Sequence, residues 1–155
     1  MAHLMAPQPS HPELPVFFNV DGVVGAAPAV NNREDVLLVQ FIFNVIATSP
    51  RPTTDPVLLA AARAVRLTGT IDPATITAIR AHQTVDRRIS GNPNQVVDGR
   101  VSPAKGGYSY GALWTIAELN NNLQDRHVNI WPRIDTIPGC PAELRQMVVR
   151  AVAGM

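Results

Sequence analysis

The chain has 155 residues, of which 46% are apolar and 16% charged, and its formal net charge is +1. This length and apolar content predict a folded protein with a hydrophobic core of its own. The near-zero charge and the single lysine exclude the basic surface expected of a nucleic-acid-binding protein. The single cysteine, Cys140, excludes an internal disulfide and a cysteine-based metal cluster.

The first 15 residues, MAHLMAPQPSHPELP, are rich in proline and show no hydrophobic periodicity. They predict a flexible arm over residues 1–15, followed by a single helical domain over residues 16–155. The arm lacks the basic and apolar regions of a signal peptide, and no apolar run approaches the ~20 residues that cross a membrane. We therefore expect a cytoplasmic protein without membrane insertion, unless a dedicated machine exports it to the periplasm or cell wall.

Two Asp-Pro pairs mark helix starts along the chain. Asp55 and Asp72 can accept hydrogen bonds from the first free N–H groups of a helix, and the proline that follows each one fits the first helical position. The helix that follows Asn32 is so apolar that it lies either in the centre of the core or against a partner. The predicted helices cover residues 33–47, 56–66, 73–89, 109–125 and 141–153.

Strand signals are weak, and the segment FFNVDGVVG predicts at most a short hairpin. Residues 90–111 are rich in Gly, Asn, Pro and Ser and predict a long loop of tight turns. The predicted fold class is therefore all-α: a compact bundle of about five short helices joined by long, turn-rich loops.

A turn pattern recurs before three of these helices: a glycine stands two residues before an apolar residue, at Gly22, Gly69 and Gly99. Glycine allows the backbone a positive φ, and the apolar residue can fill the space beneath the helix start. The helices also carry inward-facing amide side chains that can tie such turns to the helices. These amides are Gln40, Gln83 and Asn120.

The segment GTIDPATITAIRAHQ resembles the signature of the peptidoglycan-binding-like domains, which are small three-helix modules. REDVLLVQFIFNVI resembles the first helix of that family, and VVDGRVSP resembles a segment that often trails it. The resemblance covers residues 20–125 in patches and implies a three-helix core and a cell-wall peptidoglycan ligand. The chain departs from the family in having His82 at a core Phe position, a longer link over residues 48–68, and a fifth helix.

The remaining candidate residues for chemistry are isolated. His82 occupies a core position of its helix, which favours a structural role. Cys140 stands close to a helix N-terminus, which predicts a lowered thiol pKa, but His127 is the only nearby candidate base. No metal-binding His spacing, nucleophile elbow, P-loop or dinucleotide motif is present in the sequence. We therefore expect no catalytic residue, no metal site and no cofactor.

The segment SGNPNQVVDGRVSPAKGGYSYG, together with the tryptophan that follows it, offers the richest recognition surface. Its amide, charged and aromatic side chains suit a glycan or a peptide stem, although Asn, Asp and Gly are also the residues that tight turns require. The predicted ligand-binding residues are Asn94, Gln95, Asp98, Arg100, Tyr108, Tyr110 and Trp114.

The leading hypothesis is a non-catalytic binding module for peptidoglycan, delivered by a contractile secretion system or a phage-tail-like machine. The alternative is a cytoplasmic adaptor or scaffold that uses the same fold to bind a protein partner. A small wall hydrolase is the third hypothesis, disfavoured because the sequence shows neither a metal set nor a triad. The sequence leaves open the exact ligand, the partner and the oligomeric state.

Overall fold

The computed structural model describes residues 2–5, 16–105, 108–109 and 112–154. Within them the chain forms five α-helices, one short 3-10 helix and six short strands. The α-helices are α1 (Arg33–Thr48), α2 (Pro56–Ala64), α3 (Pro73–Ser90), α4 (Thr115–Arg126) and α5 (Ala142–Ala153). The strands are β1 (His3–Met5), β2 (Phe17–Asn19), β3 (Val24–Gly25), β4 (Arg100–Val101), β5 (Tyr108–Ser109) and β6 (Ala112–Leu113).

Helix α1 is the centre of the core, as one of the two sequence interpretations predicted. All but four of its 16 residues are buried, and it packs against α2, α4 and α5. Because α1 is apolar on every side, all of its faces leave water only when other elements surround it. The free energy of this burial is about 1.5–3 kcal/mol for each large side chain fully removed from water.

The helix starts follow the predicted capping chemistry at two positions. The side chains of Asp55 and Asp72 accept hydrogen bonds from Leu58 N–H and Thr75 N–H, at 2.9 and 2.8 Å. In each case the following proline opens the helix. Asn32 precedes α1 as predicted, but its side chain makes no capping bond to that helix.

The fold is mostly helical, but it is not strictly all-α as predicted. Its six strands form three antiparallel pairs, β1–β2, β3–β4 and β5–β6. Each strand has only two or three residues, which is too short for an alternation of apolar and polar side chains to predict it from the sequence. Pairs β1–β2 and β3–β4 use strands far apart in sequence, so the predicted hairpin over FFNVDGVVG does not form; β2 and β3 pair with β1 and β4 instead.

The predicted N-terminal arm contributes to this architecture where the structure describes it. Strand β1 pairs with β2 in the register His3 to Asn19, and Ala2 is buried. Residues 6–15 of the arm lie outside the described residues. Helix α4 begins at Thr115 rather than at residue 109, because β5 and β6 occupy part of the segment before it.

Two glutamines tie two turns to the core by the same set of hydrogen bonds. Gln40 Oε1 accepts from Thr68 N–H and Gly69 N–H at 3.0 and 2.9 Å. Its Nε2 donates to Thr70 O at 3.1 Å and to Thr75 Oγ1 at 3.2 Å. Gly69 has a φ of +74°, a conformation that costs a residue with a Cβ more than it costs glycine.

Gln83 repeats this arrangement on the next turn of the chain. Its Oε1 accepts from Asp98 N–H and Gly99 N–H at 3.1 and 3.0 Å. Its Nε2 donates to Arg100 O at 2.9 Å and to Thr115 Oγ1 at 3.1 Å. Gln40 in α1 therefore binds the turn before α3, and Gln83 in α3 binds the turn before α4. These contacts confirm that both amides face inward.

Asn120 is also buried, but its partner is a strand rather than a glycine turn. Its Oδ1 accepts from Phe18 N–H at 2.7 Å, and its Nδ2 donates to Phe18 O at 2.8 Å. The side chain thereby joins α4 to β2, in the segment that leads into the first of the three turns. No helix among the described residues is both long enough and apolar enough to cross a membrane.

Candidate functional site

A cleft with polar and apolar side chains in its lining opens between α3 and α4, beside the start of α2. Its volume is about 250 Å³. Two pairs of side chains reach it, each pair spaced by one helical turn: His82 and Asp86 from α3, and Glu118 and Asn122 from α4. Residues four apart on a helix share a face, so both helices turn a polar strip towards the same space. The cleft is lined by Thr53, Leu58, His82, Val85, Asp86, Ile89, Ser90, Glu118 and Asn122.

A chain of hydrogen bonds orients the histidine of this cleft. The Arg126 guanidinium donates to Asn122 Oδ1 at 3.0 Å, so the other end of that amide is its NH₂ group. Asn122 Nδ2 lies 3.2 Å from His82 Nε2 and donates to it. His82 Nε2 is therefore an acceptor, and the proton of the neutral ring is assigned from this network to Nδ1.

His82 Nδ1 lies close to Asp86 without making a hydrogen bond to it. The distance from Nδ1 to Asp86 Oδ2 is 3.1 Å, but the two groups are poorly aligned, and both atoms are buried without a hydrogen-bond partner among the described residues. The His82 side chain is only 1% exposed. An unpaired buried polar atom costs about 1–3 kcal/mol, so these two atoms favour a polar group in the cleft.

Burial sets the charges in the cleft. It lowers the pKa of His82 to about 4, and the positive charge of Arg126 adds to this effect. Burial raises the pKa of Asp86 to about 8, with a further contribution from the negative charge of Glu118. The pKa of Glu118 is also raised by burial and by Asp125. Near neutral pH the cleft thus holds an uncharged imidazole and a largely protonated Asp86.

The sequence predicted the burial of His82 but missed the three residues that accompany it. Asp86, Glu118 and Asn122 lie at one-turn spacings that are visible in the sequence. Such spacings are common on exposed helix faces, however, and the sequence does not show that these two faces meet. The T-shaped contact between His82 and Phe43, with ring centroids 6.2 Å apart, places the histidine partly in the role of a core aromatic residue.

The predicted site in the 90–111 loop is largely occupied by turn contacts. Asp98 Oδ1 accepts from Gln83 Nε2 at 3.1 Å and from Arg100 N–H at 3.0 Å. Arg100 Nε lies 3.6 Å from Asp98 Oδ2, so these two predicted residues do come together. Gln95 is buried, and the Asn94 backbone N–H donates to Asn92 Oδ1 at 2.9 Å.

The aromatic part of the predicted site is described only in part. Trp114 is half-buried against the core, and its Nε1 is buried without a hydrogen-bond partner among the described residues. The backbone of Tyr108 lies in β5, but its side chain and the whole of Tyr110 lie outside the described residues. The convergence of these aromatic side chains on one surface stays a prediction.

Cys140 differs from its prediction. The side chain is buried, and this burial raises the pKa of the thiol to about 12, although the helix N-terminus that follows was expected to lower it. Desolvation of the thiolate outweighs the helix dipole, so the group is a weak nucleophile at neutral pH. Among the described residues, no three His, Cys, Asp or Glu side chains are grouped so that they could hold a metal ion.

Comparison with known proteins adds no relative to this description. No family model, curated protein or solved structure gives a significant match to the chain. The α3–α4 cleft and the amide-tied turns therefore have to be interpreted from their own chemistry.

Proposed function

We propose that this protein is a non-catalytic binding module, on a helical scaffold that resembles the peptidoglycan-binding-like domains, and that its ligand belongs to the cell wall. The observation that carries the binding role is the α3–α4 cleft, where His82 Nδ1 and Asp86 Oδ2 are buried without hydrogen-bond partners. A concave site with a few convergent polar groups and perturbed pKa values is the usual form of a ligand site.

The repeated turns support the scaffold part of this proposal. The resemblance rests on a turn followed by a helix, and Gln40 and Gln83 bind their turns with matching hydrogen bonds. The same unit, a glycine turn held by a glutamine of the preceding helix, therefore occurs twice in the fold. The resemblance alone supplies peptidoglycan as the ligand class.

The arrangement of possible nucleophiles favours binding over catalysis. Ser90 lines the cleft, but its hydroxyl donates to Arg87 O in its own helix and lies two helical turns from His82. Catalysis by a serine needs a base within hydrogen-bond reach of the hydroxyl. The Cys140 thiol has a pKa of about 12 and is not among the lining residues of the cleft.

A protein adaptor is the second candidate function. Three exposed apolar side chains, Ile89, Val96 and Val97, stand at the end of α3 and in the loop that follows. Exposed apolar residues close in sequence suit a contact with a protein partner. In this case the ligand would be a protein, and the cell wall would play no part.

Capture on purified peptidoglycan sacculi tests the proposed function. We expect the wild-type protein to sediment with sacculi and Asp86→Asn to do so less. Glu143→Gln, which removes an exposed carboxylate from α5 and leaves the lining of the cleft intact, is the control and should behave as wild type. A wild-type protein that stays in the supernatant would refute the cell-wall ligand.

The 90–111 loop is tested in the same assay. Tyr108→Ala combined with Tyr110→Ala should weaken capture while leaving the melting temperature nearly unchanged, if the loop contributes to binding. Equal capture of the double variant and the wild type would restrict binding to the cleft. A zymogram of the wild-type protein should show no clearing of the wall, and clearing would favour the hydrolase hypothesis.

A further inference from the structure

The two carboxyl groups of the α3–α4 cleft have no arginine or lysine partner in the part of the chain that the structure describes. Among the described residues, neither Asp86 nor Glu118 forms an ion pair with an arginine or lysine, and His82 Nδ1 lies 3.1 Å from Asp86 Oδ2. The Arg126 guanidinium donates to Arg51 O and to Asn122, which lines the cleft, rather than to either carboxyl group. A cation in the cleft would therefore meet two acidic groups that no arginine or lysine of the described residues already neutralises.

The rest of the lining is apolar and suits a hydrocarbon chain. Leu58 and Val85 line the same cavity, and Ile89 does so while 77% exposed, which places it at the mouth. A volume of about 250 Å³ lies below the usual range of about 300–1,000 Å³ for sites that take whole small molecules. The cleft is thus sized for one narrow group rather than for a glycan chain.

We infer that the cleft receives an alkylammonium group, with its nitrogen between Asp86 and Glu118 and its methylene chain along Leu58, Val85 and Ile89. An ammonium group offers three N–H donors and no acceptor, which matches carboxylate oxygens. The Nδ1–H of His82 is itself a donor, and its available acceptor is Asp86 Oδ2, 3.1 Å away. A metal ion fits less well, because no group of three potential ligands is assembled in the described residues. The group can be the side chain of a lysine or related diamino acid in a peptide, or a free diamine.

This inference rests on the proposed function only in taking the cleft as the ligand site. It gives that site a chemical specificity, namely a positively charged nitrogen on an extended carbon chain. It also predicts proton release, because an ammonium group stabilises the ionised form of a carboxyl whose pKa burial has raised.

Isothermal titration calorimetry at pH 7 tests the inference with three probes: 1,5-diaminopentane, Nα-acetyl-lysine methylamide and 1-pentanol. We expect at least one amine to bind at least tenfold more tightly than the alcohol. Its heat should differ between phosphate and Tris buffers, because protons are released. Binding of the lysine derivative identifies a peptide-borne group, and binding of the diamine alone identifies a free amine.

Variants separate charge from packing. Asp86→Asn and Glu118→Gln should each weaken amine binding at least tenfold, whereas Glu143→Gln, outside the cleft, should bind as wild type. Asp86 is already largely uncharged near neutral pH, so its replacement by Asn should preserve the fold, and circular dichroism checks this for each variant. Absence of amine binding, equal binding of the alcohol, or full affinity in both cleft variants would overturn the inference.

The sacculus assay distinguishes the two proposals. Sacculus capture without amine binding would overturn the alkylammonium site alone. Amine binding without sacculus capture would refute the cell-wall ligand and leave the alkylammonium site standing.

Discussion

Single buried amide side chains fix the conformation of two turns by binding their backbone groups. Gln40 and Gln83 each satisfy two turn N–H groups and one turn carbonyl, so each replaces several backbone hydrogen bonds that the turn could not make by itself. A buried polar group that is fully satisfied in this way specifies one arrangement of the chain, because other arrangements leave it unpaired.

Replacing Gln83 with Leu tests this role. The substitution keeps the side chain large but leaves the N–H groups of Asp98 and Gly99 without their acceptor. We expect the free energy of unfolding to fall by about 2–4 kcal/mol, given about 1–3 kcal/mol for each buried group left unpaired. Urea denaturation measures the change, with Gln146→Leu on the exposed face of α5 as the control. A loss below about 0.5 kcal/mol would mean that water replaces the amide at the turn.

At the element scale, the helices follow from the sequence better than their mutual packing does. The capping bonds of Asp55 and Asp72 reach only three residues along the chain, so the local sequence predicts them. The burial of α1 follows from its apolar composition. Strands β3 and β4 lie about 75 residues apart, and no local pattern connects them. The α3–α4 cleft was missed for the same reason, because Asp86 and Glu118 lie on two separate helices and no local pattern shows that both line one cavity.

The buried titratable groups of the α3–α4 cleft predict a dependence of stability on pH. The pKa of Asp86 is raised to about 8, so the folded state holds its proton more tightly than the unfolded state, and stability is lost as pH rises towards 8. The pKa of His82 is lowered to about 4, which makes stability rise with pH up to about its ordinary value of 6.5. Glu118, which faces Asp86 from α4, has a raised pKa and acts in the same direction as Asp86.

The effects of His82 and Asp86 on stability oppose each other only below about pH 6.5, the ordinary pKa of histidine. Above that pH the contribution of His82 is complete, and we expect the melting temperature of the wild-type protein to fall between pH 6.5 and 8.5. In Asp86→Asn this fall should become smaller, because the variant has no proton to lose at that position. Glu143→Gln should retain the wild-type slope, because Arg33 lowers the pKa of Glu143 and this carboxyl stays ionised throughout the range. A slope that is the same in all three proteins would show that Asp86 titrates close to its ordinary pKa.

On the scale of the whole molecule, the N-terminal strand joins the two ends of the described chain. Strand β1 pairs with β2 and packs against α5, and Leu4 and Met5 contact the hydrophobic core. The sequence predicted a flexible arm here, because the prolines of residues 6–15 dominate the composition of the first 15 residues. The pairing of β1 depends on a partner strand and on a distant helix, which composition does not show.

Deletion of residues 1–5 tests whether β1 is part of the folded domain. The variant loses the buried Ala2 and the partly buried Leu4 and Met5, and it exposes one edge of β2. We expect a loss of about 2 kcal/mol from the apolar area returned to water. In a protein of this size, that loss corresponds to a fall of roughly 4–8 °C in the melting temperature.

The matched control for the deletion is His3→Ala, which keeps the strand and removes an exposed side chain. His3 Nδ1 lies 2.7 Å from Asp21 Oδ1, both side chains are nearly half-exposed, and such surface contacts contribute little to stability. The control should therefore melt within about 2 °C of the wild type, since each kcal/mol corresponds to roughly 2–4 °C here. A deletion variant that melts together with the control would show that the first five residues behave as an arm, and that β2 and α5 hold the core without them.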